Sequence, residues 1–221
     1  MTFITELENT FAANSNAENA LPMAKYMKDL FPFFGIKTDE RRALFKSVCK
    51  KHQVEINSNA RTIAWELFTK KERELQYCGI EIIIKNLKNN YVIEDIVWIE
   101  KLLITNSWWD SVDTISKYIL GDYLQQFPSE IDTVVKRFSD AEKMWLNRSV
   151  ILFQLGYKSK TDFSLLQHLC LKHSHSNAFF IRKAIGWALR EYAKTDPEAV
   201  REFVLQSNLK PLSKKEALKN I

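Results

Sequence analysis

Glycine and proline are scarce, five of each in 221 residues. A sheet protein of this length needs many tight turns, and the turn types that demand positive φ take Gly or Asn. The shortage excludes most β-rich architectures and points to helices joined by short polar corners. Cysteine is also sparse: Cys49, Cys78 and Cys170 are an odd number, widely spaced, with no CxxC pair. That excludes a disulfide framework and suits reduced core thiols in a cytosolic protein. No apolar stretch approaches the roughly 18 residues of a membrane span, and runs such as Ile82-Ile83-Ile84 are soon broken by Lys. The N-terminal segment is amphipathic, without a basic stretch followed by an apolar run, so no signal peptide is expected. There is no Gly-rich phosphate loop and no GxSxG elbow. His168, His173 and His175 lie close in sequence but lack the ligand spacing of a metal site, so neither metal nor cofactor is expected.

What is present is apolar and mildly basic. Apolar residues make up 46% and aromatics 12%, enough for a substantial core and too many for a disordered chain. Thirty-two Lys+Arg against 27 Asp+Glu give a formal charge of +5, which is compatible with nucleic acid without proving it. Apolar residues recur at helical spacing over about 2–13, 17–29, 38–51, 58–69, 71–88, 93–105, 107–126, 129–138, 141–156, 161–173, 176–194, 197–206 and 213–220. Thr38, Ser107, Ser129, Thr161 and Ser213 suit helix caps, and Pro197 suits a first turn. The linkers are short and polar, so a single domain over 1–221 is expected. Helices paired every 35–40 residues or so predict an all-α, curved solenoid of degenerate HEAT-like repeats, an orthogonal bundle being the competing arrangement.

Three helix faces are not accounted for by a core. With Ser107 as cap, Trp108, Val112, Ile115 and Ile119 form a buried stripe, while Trp109 and Asp113, four apart, share a neighbouring face. Asp113 is either a functional carboxylate beside an aromatic plane or a solvated first-turn acid. Between Phe179 and Lys194, the face opposite the core stripe carries Lys183, Trp187, Arg190 and Lys194. Cations around an indole suit a nucleic-acid surface; the alternative is a Trp buried under the next helices with snorkelling cations. Trp145 and Arg148 are three apart, Arg148 being either a phosphate ligand or half of a structural Arg–carboxylate pair. Arg42, Lys46 and Lys50 form a cationic row at i, i+4 spacing, which a solvated face would also show.

Five runs carry a resemblance: Met23-Ala-Lys-Tyr-Met-Lys, Phe33-Phe-Gly-Ile-Lys-Thr-Asp-Glu-Arg-Arg, Ser107-Trp-Trp-Asp-Ser-Val-Asp, Trp145-Leu-Asn-Arg and Lys183-Ala-Ile-Gly-Trp-Ala-Leu-Arg-Glu-Tyr. The sequence resembles the helical-repeat DNA alkylation repair glycosylases of the AlkD type, essentially end to end. Asp39 stands where the family corner has Pro. The resemblance places a catalytic carboxylate on Asp113, active-site tryptophans on Trp109 and Trp187, a cleft arginine on Arg148 and a further lesion-site aromatic on Tyr26. Lys183, Arg190, Lys194, Arg42 and Lys46, with Thr38 at the head of their row, are then expected to line a basic concave DNA track. The implied activity is metal-independent hydrolysis of the N-glycosidic bond of cationic N3- or N7-alkylated purines. The implied partner is duplex DNA containing alkylated bases, met by a cytoplasmic monomer with no membrane and no obligate protein partner. A non-catalytic DNA-binding array or a protein-interaction scaffold is the alternative.

Overall fold

The computed structural model describes residues 1–219, and every regular element among them is helical. None of these helices is long and apolar enough to cross a membrane. The chain divides at the Asn89-Asn90 linker, which the composition did not single out as a boundary, into two compact units, Met1–Asn90 and Tyr91–Ile221.

The first unit comprises α1 (Phe3–Ala13), α2 (Ala17–Tyr26), α3 (Thr38–Lys51), α4 (Gln53–Phe68) and α5 (Arg73–Asn86). Phe3, Leu7 and Phe11 of α1, Phe45 of α3 and Leu67 and Phe68 of α4 are sealed from solvent. The corner between α2 and α3 is held from below. Glu74 is fully buried and accepts the amides of Phe34, Gly35 and Ile36 at 3.1, 2.9 and 3.2 Å. Gly35 is left-handed at φ +86°, and a Cβ there would fall 2.0 Å from the Asn16 carbonyl oxygen, so only glycine fits. This corner, and not a Thr38 cap, sets the entry to α3. Thr38 is the first helical residue, and Lys37 before it offers no side-chain cap.

The second unit comprises α6 (Asp95–Ile104), α7 (Trp109–Ile115), a π-helical turn (Ser116–Leu120), α8 (Gly121–Gln126), α9 (Ile131–Ser139), α10 (Met144–Leu152), α11 (Phe163–Lys172), α12 (Phe179–Tyr192), α13 (Pro197–Gln206) and α14 (Pro211–Ala217). The expected segments appear, most of them shorter by a few residues at the ends, but the one expected from 58 starts at Gln53 and the one expected over 213–220 starts at Pro211, residue 220 lying outside the described residues. The expected caps largely do not. Side-chain caps come from Thr2, Asn16, Asp162 and Asp196. Ser107 is not the cap, because α7 begins at Trp109 and Trp108 holds the capping position; the Ser107 hydroxyl donates to the Leu103 carbonyl at the end of α6. Ser213 lies inside α14, donating to the Arg182 carbonyl at 2.9 Å. Ser129 falls within a 3-10 turn, and Thr161 is displaced by its neighbour Asp162. Pro197 does occupy the first turn of α13.

Candidate active site

Helix α7 opens directly after an extended residue, Trp108 (φ −149°, ψ 163°). Val112, Ile115 and, within the π turn, Ile119 face the core as the periodicity predicts. Trp108 leaves that stripe, because it precedes the helix. Its ring joins an aromatic cluster, edge-on to Trp145 of α10 (centroids 5.9 Å apart) and to Phe180 of α12 (5.2 Å); Trp145 and Phe180 lie 5.1 Å apart. The indole N–H of Trp108 is buried without a hydrogen-bond acceptor. Trp109, half-buried, is the first residue of α7, one turn ahead of Asp113.

Asp113 is the centre of this arrangement. Its two oxygens accept from Arg148, Oδ1 from Nε at 2.7 Å and Oδ2 from Nη2 at 2.9 Å, a fork-to-fork pair. The Arg148 Nη1 donates to the carbonyl of Phe180, and the guanidinium lies 5.9 Å from that residue's ring centroid. Three helices therefore meet at one guanidinium: α7 through Asp113, α10 through Arg148 itself, and α12 through a backbone carbonyl. Arg148 is only 4% exposed, whereas the Asp113 side chain keeps 13%. Burial pushes the Asp113 carboxyl above its ordinary value, and the hydrogen bonds and charge of Arg148 oppose that rise. The cation thus works against the neutralisation that burial favours.

The structure places Arg148 differently from the DNA-facing position that the resemblance implies. It is an interior residue whose N–H groups serve Asp113 and Phe180. The cationic face of α12 is likewise engaged from within the unit. Lys183 Nζ and Arg190 Nη1 each lie 2.9 Å from the carboxylate of Glu216 on α14. Those two cations hold the Glu216 carboxyl below its ordinary value. The helices touch at Gly186, where a Cβ would sit 2.4 Å from Glu216 Cβ and 2.8 Å from the Ser213 carbonyl oxygen. Trp187, half-buried, packs against the core formed by α10 to α14. The two cations beside it on α12, Lys183 and Arg190, are turned to the acid of α14. Lys194 is exposed and pairs with Glu191 at 2.6 Å.

In the first unit, Tyr26 ends α2 and is 67% exposed. Arg42, Lys46 and Lys50 form the solvated row of α3, with Arg42 Nε 3.5 Å from Glu81, and Thr38 heads that row, also exposed. The three cysteines are free thiols. His173 is buried against the Ser139 hydroxyl at 2.8 Å, and burial lowers its pKa to about 4. Among the described residues, no group of three or more His, Cys, Asp or Glu is placed to hold a metal ion. Sequence reasoning missed Glu216, whose lysine-rich surroundings gave no hint of its partners. It also missed the Phe180 carbonyl, for which no sequence signal exists.

Comparison with known proteins gives a consistent result. A family model described as DNA alkylation repair enzyme matches residues 7–221. The solved structure of a protein called "predicted DNA alkylation repair enzyme from Enterococcus faecalis" is similar over 94% of this chain and 96% of that one, at 33% identity and a TM-score of 0.85. No curated protein sequence matches.

Proposed function

Since the chain belongs to the DNA alkylation repair enzyme family, we propose that it is a DNA glycosylase, releasing cationic N3- or N7-alkylated purines from duplex DNA with Asp113 as its catalytic carboxylate. The observation that carries the reading is the Asp113–Arg148 pair: an acid largely removed from water and fixed in orientation by a bidentate cation, whose charge opposes the rise in pKa that burial causes.

An alkylated purine already carries positive charge, so it departs without strong general-acid help. Positive charge then develops on the deoxyribose, as in other glycoside cleavages. A preorganised carboxylate stabilises that charge where it forms and can orient the attacking water. Each Asp113 oxygen spends one lone pair on Arg148, and a carboxylate has about four acceptor sites in all, so each retains one for the sugar or a water. Trp109, one helical turn away, can add cation–π attraction of about 0.5–2 kcal/mol, depending on desolvation. Trp187 is assigned the same role on the strength of the resemblance. Duplex DNA is bound through the exposed cations Arg42, Lys46 and Lys194, with Tyr26 as a lesion contact and Thr38 beside them. Lys183 and Arg190 can join only by sharing or leaving Glu216.

The test is incubation with N-methylated duplex DNA and chromatography of released bases. Release of 3-methyladenine or 7-methylguanine by the wild-type chain, lost in Asp113→Asn, is expected. Tight binding without base release by the wild type would make the chain a non-catalytic DNA binder.

A further inference from the structure

The end of α10, the start of α11 and the last turns of α12 surround a cavity of about 200 Å³. An apolar cavity of about 150 Å³ takes a benzene ring, so this one has room for a single ring with a short substituent. Its floor is Ile151, Leu155, Leu166 and Ala188, all buried. Tyr192 walls it, its ring held by stacking on Phe163 with centroids 4.4 Å apart and planes at 17°.

The open side is charged. Lys158, Lys194 and Thr195 line it and are exposed. Lys194 pairs at 2.6 Å with Glu191, which also lines the cavity, so those two charges cancel. Lys158 is left over. Among the described residues its ammonium has no carboxylate or hydrogen-bond partner, and neither do the hydroxyls of Thr161 and Thr195. Lys158 also holds a left-handed backbone, φ +55°, which a lysine rarely adopts. The loop around it imposes that conformation. Tyr157 is pinned by its hydroxyl, which donates to the Gly121 carbonyl at 2.6 Å. The Gln154 amide clasps Asp162, donating to its carbonyl at 3.1 Å and accepting its backbone N–H at 2.7 Å. Strained backbone that its surroundings over-determine concentrates at ligand clamps.

We propose that this cavity is a binding site for a small amphipathic monoanion, an aromatic or branched aliphatic carboxylate. Its apolar body lies on the floor of Ile151, Leu155, Leu166 and Ala188, and its carboxylate meets Lys158 and the two threonine hydroxyls. An apolar pocket with a few convergent polar groups is the usual form of a small-molecule site. Two lysines less one glutamate leave the lining with a single positive charge, which matches one carboxylate and disfavours a cation. The site shares no residue with the Asp113–Arg148 pair, and the inference does not rest on the glycosylase reading.

The full chain, carbon-13 labelled at its Ile, Leu and Ala methyl groups, is titrated with phenylacetate, with its neutral isostere phenylacetamide and with acetate, and the methyl resonances are followed by NMR. Phenylacetate should shift the methyls of Ile151, Leu155, Leu166 and Ala188 along a saturating curve. It should bind about five-fold tighter than phenylacetamide, the upper value of an exposed ion pair. Acetate, which has no ring, should leave these methyls unmoved. Lys158→Met keeps the stem and removes the charge at an exposed position; it should erase the preference for phenylacetate while leaving phenylacetamide affinity unchanged. Absence of a saturable shift at these four residues, even well above millimolar phenylacetate, would overturn the site. Equal affinity of the wild type for phenylacetate and phenylacetamide would overturn the anionic class, as would a preference that survives in Lys158→Met. No DNA enters these measurements, so their failure leaves the glycosylase reading as it was, and a wild-type chain that released no base would not touch this site.

Discussion

Replacing Arg148 by Met keeps a long, flexible stem while removing all the N–H groups that hold Asp113. The lost contacts are the two bonds to Asp113 and the one to the Phe180 carbonyl. Removing one partner of a buried pair leaves the other charge uncompensated and costs about 3–5 kcal/mol. Asp113 is not fully enclosed, so the lower end, about 3 kcal/mol, is expected. Asp113→Asn should also destabilise, because it strands a guanidinium that is only 4% exposed. The double variant should recover much of the loss, giving a coupling energy of about 2 kcal/mol in a double-mutant cycle. Denaturation followed by tryptophan emission suits the question, since Trp108 and Trp145 lie beside the pair. A second signature is kinetic. Without Arg148 the influence that lowers the Asp113 pKa is gone and the burial that raises it persists, so the acid limb of the excision rate should move to higher pH. Additive single-variant effects and an unshifted acid limb would refute the idea that this cation opposes neutralisation of the acid.

Trp108→Phe should cost less than about 1 kcal/mol, because the buried indole N–H has no acceptor to lose; Trp108→Ala should cost about 3 kcal/mol by urea unfolding. Glu216→Gln should free Lys183 and Arg190 and steepen the salt dependence of duplex binding, by about 0.9 in log–log slope for each phosphate newly engaged; an unchanged slope would remove these two residues from the DNA surface. His173 is held neutral, with its pKa lowered to about 4. A base whose folded value is depressed costs stability increasingly as pH falls from its ordinary 6.5 toward that value. His173→Gln should therefore flatten the fall in melting temperature between pH 6.5 and 4 relative to wild type.

Much of this was legible in the sequence, for reasons that differ from residue to residue. The helices were, because a 3.6-residue apolar period needs no tertiary information: Val112, Ile115 and Ile119 are buried as that period demands. Helix starts were not, because several side chains can compete for the same orphan amides. Asp162 beat Thr161, and α7 starts at Trp109, one residue later than a Ser107 cap requires. Trp108 was misplaced for the same reason, since a one-residue shift in the start of α7 moves it from the core stripe to the ring cluster. The Asp113–Arg148 pair spans 35 positions, and the Lys183–Glu216–Arg190 bridge depends on how α14 crosses α12. Neither separation leaves a trace in local periodicity. What the sequence did supply was the pair of outcomes open to each cation. For Arg148 the structure shows the interior pair, with Asp113 as its carboxylate.

The π-helical turn at Ser116–Leu120 acts as a ruler. Its closing bond runs from the Gly121 amide to the Ser116 carbonyl, so it holds one residue more than an α-turn. That extra residue offsets α7 from α8 by about 100° of helical phase. Tyr157 pins the α8 side by donating to the Gly121 carbonyl at 2.6 Å, and Phe153 crowds the same glycine, leaving no room for a Cβ. Deleting one residue from the turn would leave a perfectly regular α-helix, a change that looks harmless or even favourable by propensity. It would also rotate Asp113 away from Arg148 by more than a quarter of a circle. In aligning or trimming this chain, the length of 116–120 therefore carries as much information as the identity of any residue in it.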